Sequence, residues 1–347
     1  EVEKYDSPIS MIHDLYDGKV DAIIVGDNYG SLFSEQLGFE DIKNETKILA
    51  NIETVIQQEE LKPGMANTSL IDDPFSILLI GVDSTEQGLE AASLADSLII
   101  ATVNPQNLSV TMTSIPRDSY VEIPCFNNTK DKITHSNNGG TTCVIESVEK
   151  MFDLNIPYYV KINFKGVVEL VDTIGGVEFD VPIDMDYDDY SQDLFIHLKA
   201  GVQTLDGDQA EQLVRFRHNN DYSSYSYSYG DNDLGRMRTQ RNFIIATVKQ
   251  TIRMKNVTQI GNIIDIFKQY VKTNLDFNHV KDYIPYAIKI NTDDIKAAQL
   301  PGTAQYLGYL SFFLCDEEET QELVKEFFLD KPEIIEENDE NITVTTP

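Results

Sequence analysis

FSILLIGVD, residues 75–83, is an apolar run that closes on a carboxylate, and its reading decides the fold. A run of this length, rich in Ile, Leu and Val, is a strand rather than a helix. The stretch DSLIIATVNPQNLSVTMTSIPRD, residues 96–118, follows as two further strands around an Asn-Pro turn, ending at Arg117-Asp118. Downstream, TTCVIESVEKMFDL reads as a helix, and YYVKINFKGVVELVDTIGGVEFDVP as strand, helix, Gly-Gly stop and strand. These alternations predict a mixed α/β layer domain, with a central mixed sheet packed between helices.

The charged residues are distributed unevenly. The chain holds 58 acidic and 27 basic residues, a formal charge of −31, and five of its seven arginines fall within residues 214–241. They are Arg215, Arg217, Arg236, Arg238 and Arg241, in VRFRHNNDYSSYSYSYGDNDLGRMRTQR. A guanidinium offers five fixed donors and matches carboxylate or phosphate oxygens in a fork. Such a cluster is either an anion site or a salt-bridged surface. In VRFRH the alternation predicts a short strand with Arg215 and Arg217 on one face. The helix predicted over LGRMRTQRNFIIATVKQTI puts Arg236 and Gln240 on one face near its N-terminus, with Arg238 opposite and solvated.

The other polar side chains at predicted strand ends are Asp83, Asp96, Arg117 and Asp118. Ligand sites of α/β sheets gather at such ends. Two carboxylates beside several arginines suit a magnesium-bound diphosphate, the carboxylates holding the ion and the guanidiniums the remaining oxygens. Turn-capping or salt-bridging is the structural alternative for Asp83 and Asp96. No phosphate-binding Gly-rich loop, no G-x-S-x-G elbow and no H-E-x-x-H zinc motif occurs.

The acidic balance argues against nucleic acid as a partner, which needs a broad basic field. No apolar run approaches the roughly 20 residues of a membrane span. The chain opens without Met on a helical pattern and reads as a fragment, from which any membrane anchor would have been cut away. Cys125 and Cys143 bracket a polar loop and carry no zinc-ligand spacing. They are two free thiols or a disulfide; we favour the bridge, which contributes on the order of 3 kcal/mol and points to an oxidising compartment. Cys315 reads as a buried apolar residue.

Residues 1–60 read as helix (PISMIHDLYDG), strand (KVDAIIVG), helix (YGSLFSEQLGF) and strand (TKILANIETVI), a partial accessory α/β domain. Residues 61–73 form a linker, residues 74–330 the main domain, and residues 331–347 an acidic disordered tail. Within the main domain, helices are predicted over IGNIIDIFKQYVKTNL, VKDYIPYAIKI and DEEETQELVKEFFLD, and a strand over IKAAQLPG.

In FSILLIGVDS, ADSLIIATVNPQNLSVTMTSIPRDSYVEIP, DKITHS, YYVKINFKGVVELVDTIGGVEFDVP, LDGDQAEQLVRFRH and LGRMRTQR, taken in order, the chain resembles the LytR-CpsA-Psr family from about residue 74 to 330. The resemblance implies a membrane-anchored enzyme on the outer face of the cytoplasmic membrane of a Gram-positive-type bacterium. Its activity would be transfer of an anionic glycopolymer (teichoic acid, capsular or secondary wall polysaccharide) from a polyprenyl diphosphate carrier. The acceptor it implies is peptidoglycan, at the C6 hydroxyl of N-acetylmuramic acid. Carried over by position, the metal ligands are Asp83 and Asp96, for magnesium or alternatively manganese. The diphosphate-binding residues are Arg117, Lys132, Arg215, Arg217, Arg236 and Gln240, and the catalytic set is Asp96, Arg117 and Asp118, with Asp96 or Asp118 as base.

The chain departs from the family pattern at Leu94 and Thr239, where arginine is usual, and Arg238 or Arg241 is expected to offset Thr239. Its segment NNDYSSYSYSYGDND is longer than usual. Phe164, Val167 and Val168 are either core residues or the lining of a prenyl tunnel, and His135 and His218 are expected to support neighbours by hydrogen bonds. Two other functions fit the same pocket: a lipid pyrophosphatase using water as acceptor, and a non-catalytic polyprenyl-phosphate binder that regulates the envelope.

Overall fold

The computed structural model describes residues 8–25, 42–50, 74–83, 93–230, 232–253, 263, 265, 268–275 and 286–328. Before the main domain stand α1 (Pro8–Tyr16) and the short α2 (Ile42–Glu45), joined through Ile12 and Ile42 in a small apolar cluster. Residues 19–25, predicted as a strand, form no strand, and no neighbouring strand is described for them to pair with. The second predicted helix of this region, the linker, the C-terminal tail and most of VKDYIPYAIKI lie outside the described residues.

The central sheet is built from β1 (Phe75–Val82), β2 (Ala95–Asn104), β3 (Ser109–Ile115), β6 (Tyr158–Asn163), β11 (Val271–Thr273) and β12 (Lys296–Gln299), in the order β11-β6-β1-β2-β3-β12. β1 runs parallel to β6 and antiparallel to β2; β3 is antiparallel to β2 and parallel to β12. The C-terminal ends of β1, β3 and β6 therefore meet the N-terminal end of β2 along one sheet edge. Four short antiparallel pairs complete the strands: β4 (Tyr120–Ile123) with β5 (Thr129–Lys132), β7 (Val177–Val181) with β10 (Gly201–Leu205), β8 (Met185–Asp189) with β9 (Leu194–Leu198), and β13 (Gly302–Leu307) with β14 (Leu310–Cys315). β11 replaces the end of a predicted helix. Val271 and Thr273 pair with β6 instead of continuing the helical turn that ends at Tyr270.

Helix α3 (Gly140–Phe152) covers one face of the sheet, packing Val144, Val148 and Phe152 against Leu78, Ile80, Leu98 and Ile100. Each of these fully buried apolar side chains contributes roughly 1.5–3 kcal/mol. A second core joins α4 (Phe164–Thr173), α5 (Gly207–Arg215) and α6 (Asn232–Arg253) to the β7–β10 strands through Val171, Leu213, Phe216 and Phe243. The last helix, α7 (Glu317–Phe327), is capped by Asp316, which accepts from Glu319 N. Cys125 and Cys143 are joined in a disulfide that ties the turn after β4 to α3. The segment between them is more than a loop, since it contains β5 and a helical turn at Ile133–Gly139. Cys315 is half-buried, with its thiol pushed up by burial.

At the functional edge the β1–β2 ladder is irregular. Gly81 faces Ser97 and Val82 faces Ala95, leaving Asp96 as an extra residue in a bulge. A bulge bends the strand and re-aims the side chain it carries. Gly81 permits this close approach, because a Cβ there would lie 2.9 Å from the Ser97 Cβ. Gly81→Ala is expected to displace the bulge at a cost of about 1–3 kcal/mol. Chemical denaturation should show the loss, and activity should fall by more than the unfolded fraction explains.

Candidate active site

Each strand end delivers a polar group to the same edge. Asp83 follows β1, Asp96 lies in the β2 bulge, and Arg117 follows β3 through Pro116. Asn163 ends β6 and caps α4 by accepting from Gly166 N, which places Phe164 at the edge. Asp83, Asp96, Arg117 and Phe164 border a cavity of about 200 Å³ lined also by Arg215, Arg217, Arg236 and Gln240. The volume suits a polar headgroup and is smaller than a cleft that engulfs a whole ligand.

Helix α5 begins with a capping box. Asp206 accepts from Gln209 N, and the Gln209 side chain accepts from Asp206 N. The predicted VRFRH strand does not form. Arg215 is the last residue of α5, and Phe216 turns the chain out in an extended conformation. Burial of Phe216 against Tyr225, with ring centroids 5.5 Å apart, stops the helix there. Arg215 and Arg217 still reach one cavity, because they flank this inserted ring. Arg215 stacks over Phe164 at 4.9 Å and donates to Glu211 at 2.9 Å.

Arg236 and Gln240 share the cavity-facing side of α6, as their spacing predicts. Gln240 Nε2 donates to Val214 O at 2.8 Å, fixing α6 to α5. Arg236 Nε is buried without a hydrogen-bond partner among the described residues.

The carboxylates partition among these cations. Asp96 accepts from Arg117 at 2.5 Å. Asp233 lies 2.5 Å from Arg236 and 3.6 Å from Arg217, close ion pairs rather than aligned hydrogen bonds. Burial pushes the Asp233 carboxyl up, but Arg236, Arg217, Arg117 and Lys132 outweigh it and hold the group below the usual carboxylate range. The sequence reading missed Asp233. Its signal is the i, i+3 spacing to Arg236 at the start of a helix.

Asp83 shows the opposite balance. Crowding by surrounding protein pushes its carboxyl up, Arg215 opposes this, and Asp96 and Glu211 push it further. Its surface remains open to the cavity, so water moderates the effect. A carboxylate disfavoured as an anion beside a second carboxylate is the chemistry a hard divalent cation satisfies. Among the described residues no group of three or more His, Cys, Asp or Glu side chains could enclose a metal. An ion on Asp83 and Asp96 would share its shell with substrate oxygens and water.

Lys132 and Asp118, both predicted for the site, pair with each other at 2.7 Å and lie beside the cavity rather than in its lining. Arg238 is exposed, stacks on Tyr229 at 4.7 Å and donates to the Ser228 and Tyr229 carbonyls. Arg241 is buried and donates to Ala298 O and Ser114 Oγ, joining α6 to β12 and β3. Neither enters the cavity, so neither offsets Thr239, which is buried and bonded to the Tyr229 hydroxyl. Leu94 is likewise buried. The cavity gains Tyr187, Gln192 and Leu194 from the β8–β9 hairpin and His218 after Arg217, none of them assigned to the site from sequence. His135 pairs with Asp131 at 2.9 Å, a supporting contact outside the cavity.

The LytR_cpsA_psr family profile matches residues 41–328. The chain belongs to the LytR-CpsA-Psr family. The polyisoprenyl-teichoic acid–peptidoglycan teichoic acid transferase TagU of Bacillus subtilis (strain 168) is 32% identical over 255 residues, 73% of this chain and 77% of TagU. The crystal structure of B. subtilis TagV aligns with a TM-score of 0.62 at 26% identity, covering 74% of this chain and 97% of TagV. A structure of TagT bound to LIIa-WTA aligns with a TM-score of 0.57 at 25% identity, covering 81% of this chain and 97% of TagT. The mixed sheet flanked by helices is the fold of these LytR-CpsA-Psr proteins.

Asp233→Asn removes the charge that neutralises Arg217 and Arg236. Breaking a fully buried pair costs about 3–5 kcal/mol, and the exposure of Arg217 reduces this to about 2–3 kcal/mol. Because the native Asp233 carboxyl titrates below its unfolded value of about 3.9, its contribution is complete above that value. It is lost as pH falls through the lower native value. Urea denaturation should therefore show the largest wild-type to variant difference at neutral pH and a shrinking one below about pH 4.

Proposed function

We propose that this chain transfers an anionic glycopolymer from a polyprenyl diphosphate carrier to peptidoglycan. The observation that carries this reading is the convergence of Arg117, Arg215, Arg217 and Arg236 on one small cavity lined also by Asp83 and Asp96. Family membership and the named activity of TagU support the same substrate class. The acceptor in this reading is the C6 hydroxyl of N-acetylmuramic acid, and the working site is the outer face of the cytoplasmic membrane. The Cys125–Cys143 disulfide suits that oxidising location. Among the described residues no helix is long and apolar enough to cross a membrane.

Arg117, Arg215, Arg217 and Arg236 hold the diphosphate oxygens through charge-assisted, forked contacts. Arg236 lines the cavity from α6, with its guanidinium already placed by Asp233. Attack by the acceptor hydroxyl forms a new O–P bond at the phosphorus that carries the glycopolymer. The P–O bond to the lipid phosphate breaks, and polyprenyl phosphate leaves. Negative charge grows on the transferred group and the leaving phosphate, where preorganised guanidiniums stabilise it. The hydroxyl proton passes to Asp96, which faces the cavity; Asp118 is held by Lys132 outside it. A magnesium or manganese ion on Asp83 and Asp96 would supply charge neutralisation at the diphosphate. Phe164 and Val167 pack partly buried beside the second core, where a prenyl chain leaving the cavity would run.

Arg117→Ala is expected to lower transfer by about 10- to 150-fold, the loss of one charge-assisted contact of 1.5–3 kcal/mol. Arg117→Lys should recover little, since an ammonium lacks the fork. Mass spectrometry of peptidoglycan incubated with lipid-linked glycopolymer reads the product. Near-normal transfer by Arg117→Ala would remove the diphosphate reading, and release of free glycopolymer phosphate in place of linked product would indicate a hydrolase. Magnesium is expected to raise the melting temperature of the wild-type protein with diphosphate present and to leave that of Asp83→Asn unchanged. An equal rise in both would remove Asp83 as a ligand.

A further inference from the structure

We propose that Asn137 is a positioning residue: from the helical turn before α3 it fixes the entry to β2, and through it the placement of Asp96 beside Arg117. The inference rests on the reading of Asp96 and Arg117 as groups at the reacting phosphate. It adds a residue that acts through them from outside the cavity.

Asn137 is 4% exposed and takes no part in lining the cavity. Its side-chain amide is used at both ends. Nδ2 donates to Ser93 O at 2.5 Å, and Oδ1 accepts from Lys161 Nζ at 2.9 Å. An ammonium only donates and a carbonyl only accepts, so the two partners dictate which way the amide faces. Ser93 stands just before β2, and Asp96 follows in the bulge at the start of that strand. Lys161 lies in β6 beside Ile80 of β1 and is itself buried. Asn137 therefore ties β6 to the entry of β2, across β1.

The same turn holds Arg117. Thr134 N donates to Arg117 O at 3.0 Å, and Ile133 N to Ser119 O at 2.9 Å. Arg117 sits in a tight turn closed by Ser119, whose N and Oγ both donate to Pro116 O. Residues Ile133–Gly139 thus support the Arg117 turn at one end and the Ser93 carbonyl near the other. They are fixed in their own right: Gly140 N donates to Asn137 O, and Ser136 Oγ to Ile133 O. Gly139 packs on the Cys125–Cys143 disulfide, where a Cβ would lie 2.5 and 2.9 Å from the two sulfurs.

The choice of side chains separates positioning from packing. A buried ammonium is costly, and an apolar side chain in place of Lys161 would fill the space with less penalty. A satisfied buried polar network instead selects one arrangement of the elements that it joins. Aspartate in place of Asn137 keeps an acceptor for Lys161 but turns a second acceptor toward Ser93 O, so it breaks one contact and keeps the other. Serine is too short to span both partners.

The test compares wild type, Asn137→Asp and Asn137→Ser, by transfer kinetics from a lipid-linked donor and by hydrogen exchange. Both variants should lower kcat by about 10- to 100-fold, the cost of displacing reacting groups by a fraction of an ångström to an ångström. The KM for the donor should stay within about twofold, because Arg215, Arg217 and Arg236 sit on elements that Asn137 does not touch. Exchange should quicken over residues 93–104 and 109–119 and stay unchanged over 207–215 and 232–253. Unchanged kcat, a loss expressed in KM, or faster exchange throughout the chain would overturn the assignment. Wild-type behaviour of Asn137→Asp with loss in Asn137→Ser would overturn the link through Ser93, since only the Lys161 contact would then matter. Should Asn137→Asp not fold, Asn137→Ser carries the comparison. Absence of wild-type transfer would remove the proposed function, and exchange would still decide whether Asn137 holds the two strand ends.

Discussion

Guanidinium groups gathered at one sheet edge repel one another, and the site exists because each has a carboxylate to hold it. Asp96 holds Arg117, Glu211 holds Arg215, and Asp233 holds Arg236 and faces Arg217. This pairing sets the geometry before any ligand arrives. It also means that phosphate oxygens must share or displace contacts already made, so affinity is a difference between two sets of ion pairs. In a chain of net charge −31, the arrangement makes a small basic cavity inside an acidic surface. Long-range attraction for an anionic polymer is consequently weak, and recognition has to come from short-range contacts at the cavity.

The sheet supports this by direction rather than by composition. β1, β3 and β6 all end at one edge, and the antiparallel β2 starts there. The chain thus brings Asp83, Asp96, Arg117 and Phe164 together although they span more than half of the main domain's first hundred residues. Helices α5 and α6 close the opposite side of the cavity with their arginines, and Gln240 locks the two together.

Much of this was legible in the sequence. The apolar runs of β1, β2, β3 and β6 are continuous enough to read directly, and the i, i+4 spacing of Arg236 and Gln240 gave their shared face. VRFRH misled because a period of two over so few residues also describes a helix end followed by one extended residue. Here the burial of Phe216 decides the backbone. The bulge at Asp96 leaves no periodic trace, since it is a property of register between two strands. The family resemblance assigns Lys132 to the site and the strand-end pattern assigns Asp118, but the two form an ion pair with each other beside the cavity. Asp233 was hidden in a polar segment, DND, that reads as a turn until the helix start is known.

The most direct test of the convergent-arginine account is a crystal structure grown with magnesium and farnesyl diphosphate. The account predicts diphosphate oxygens within about 2.7–3.2 Å of guanidinium nitrogens of Arg215, Arg217 and Arg236, with the ion on Asp83 and Asp96. Diphosphate bound elsewhere, with these arginines still turned to Glu211 and Asp233 and the cavity filled by water, would contradict it.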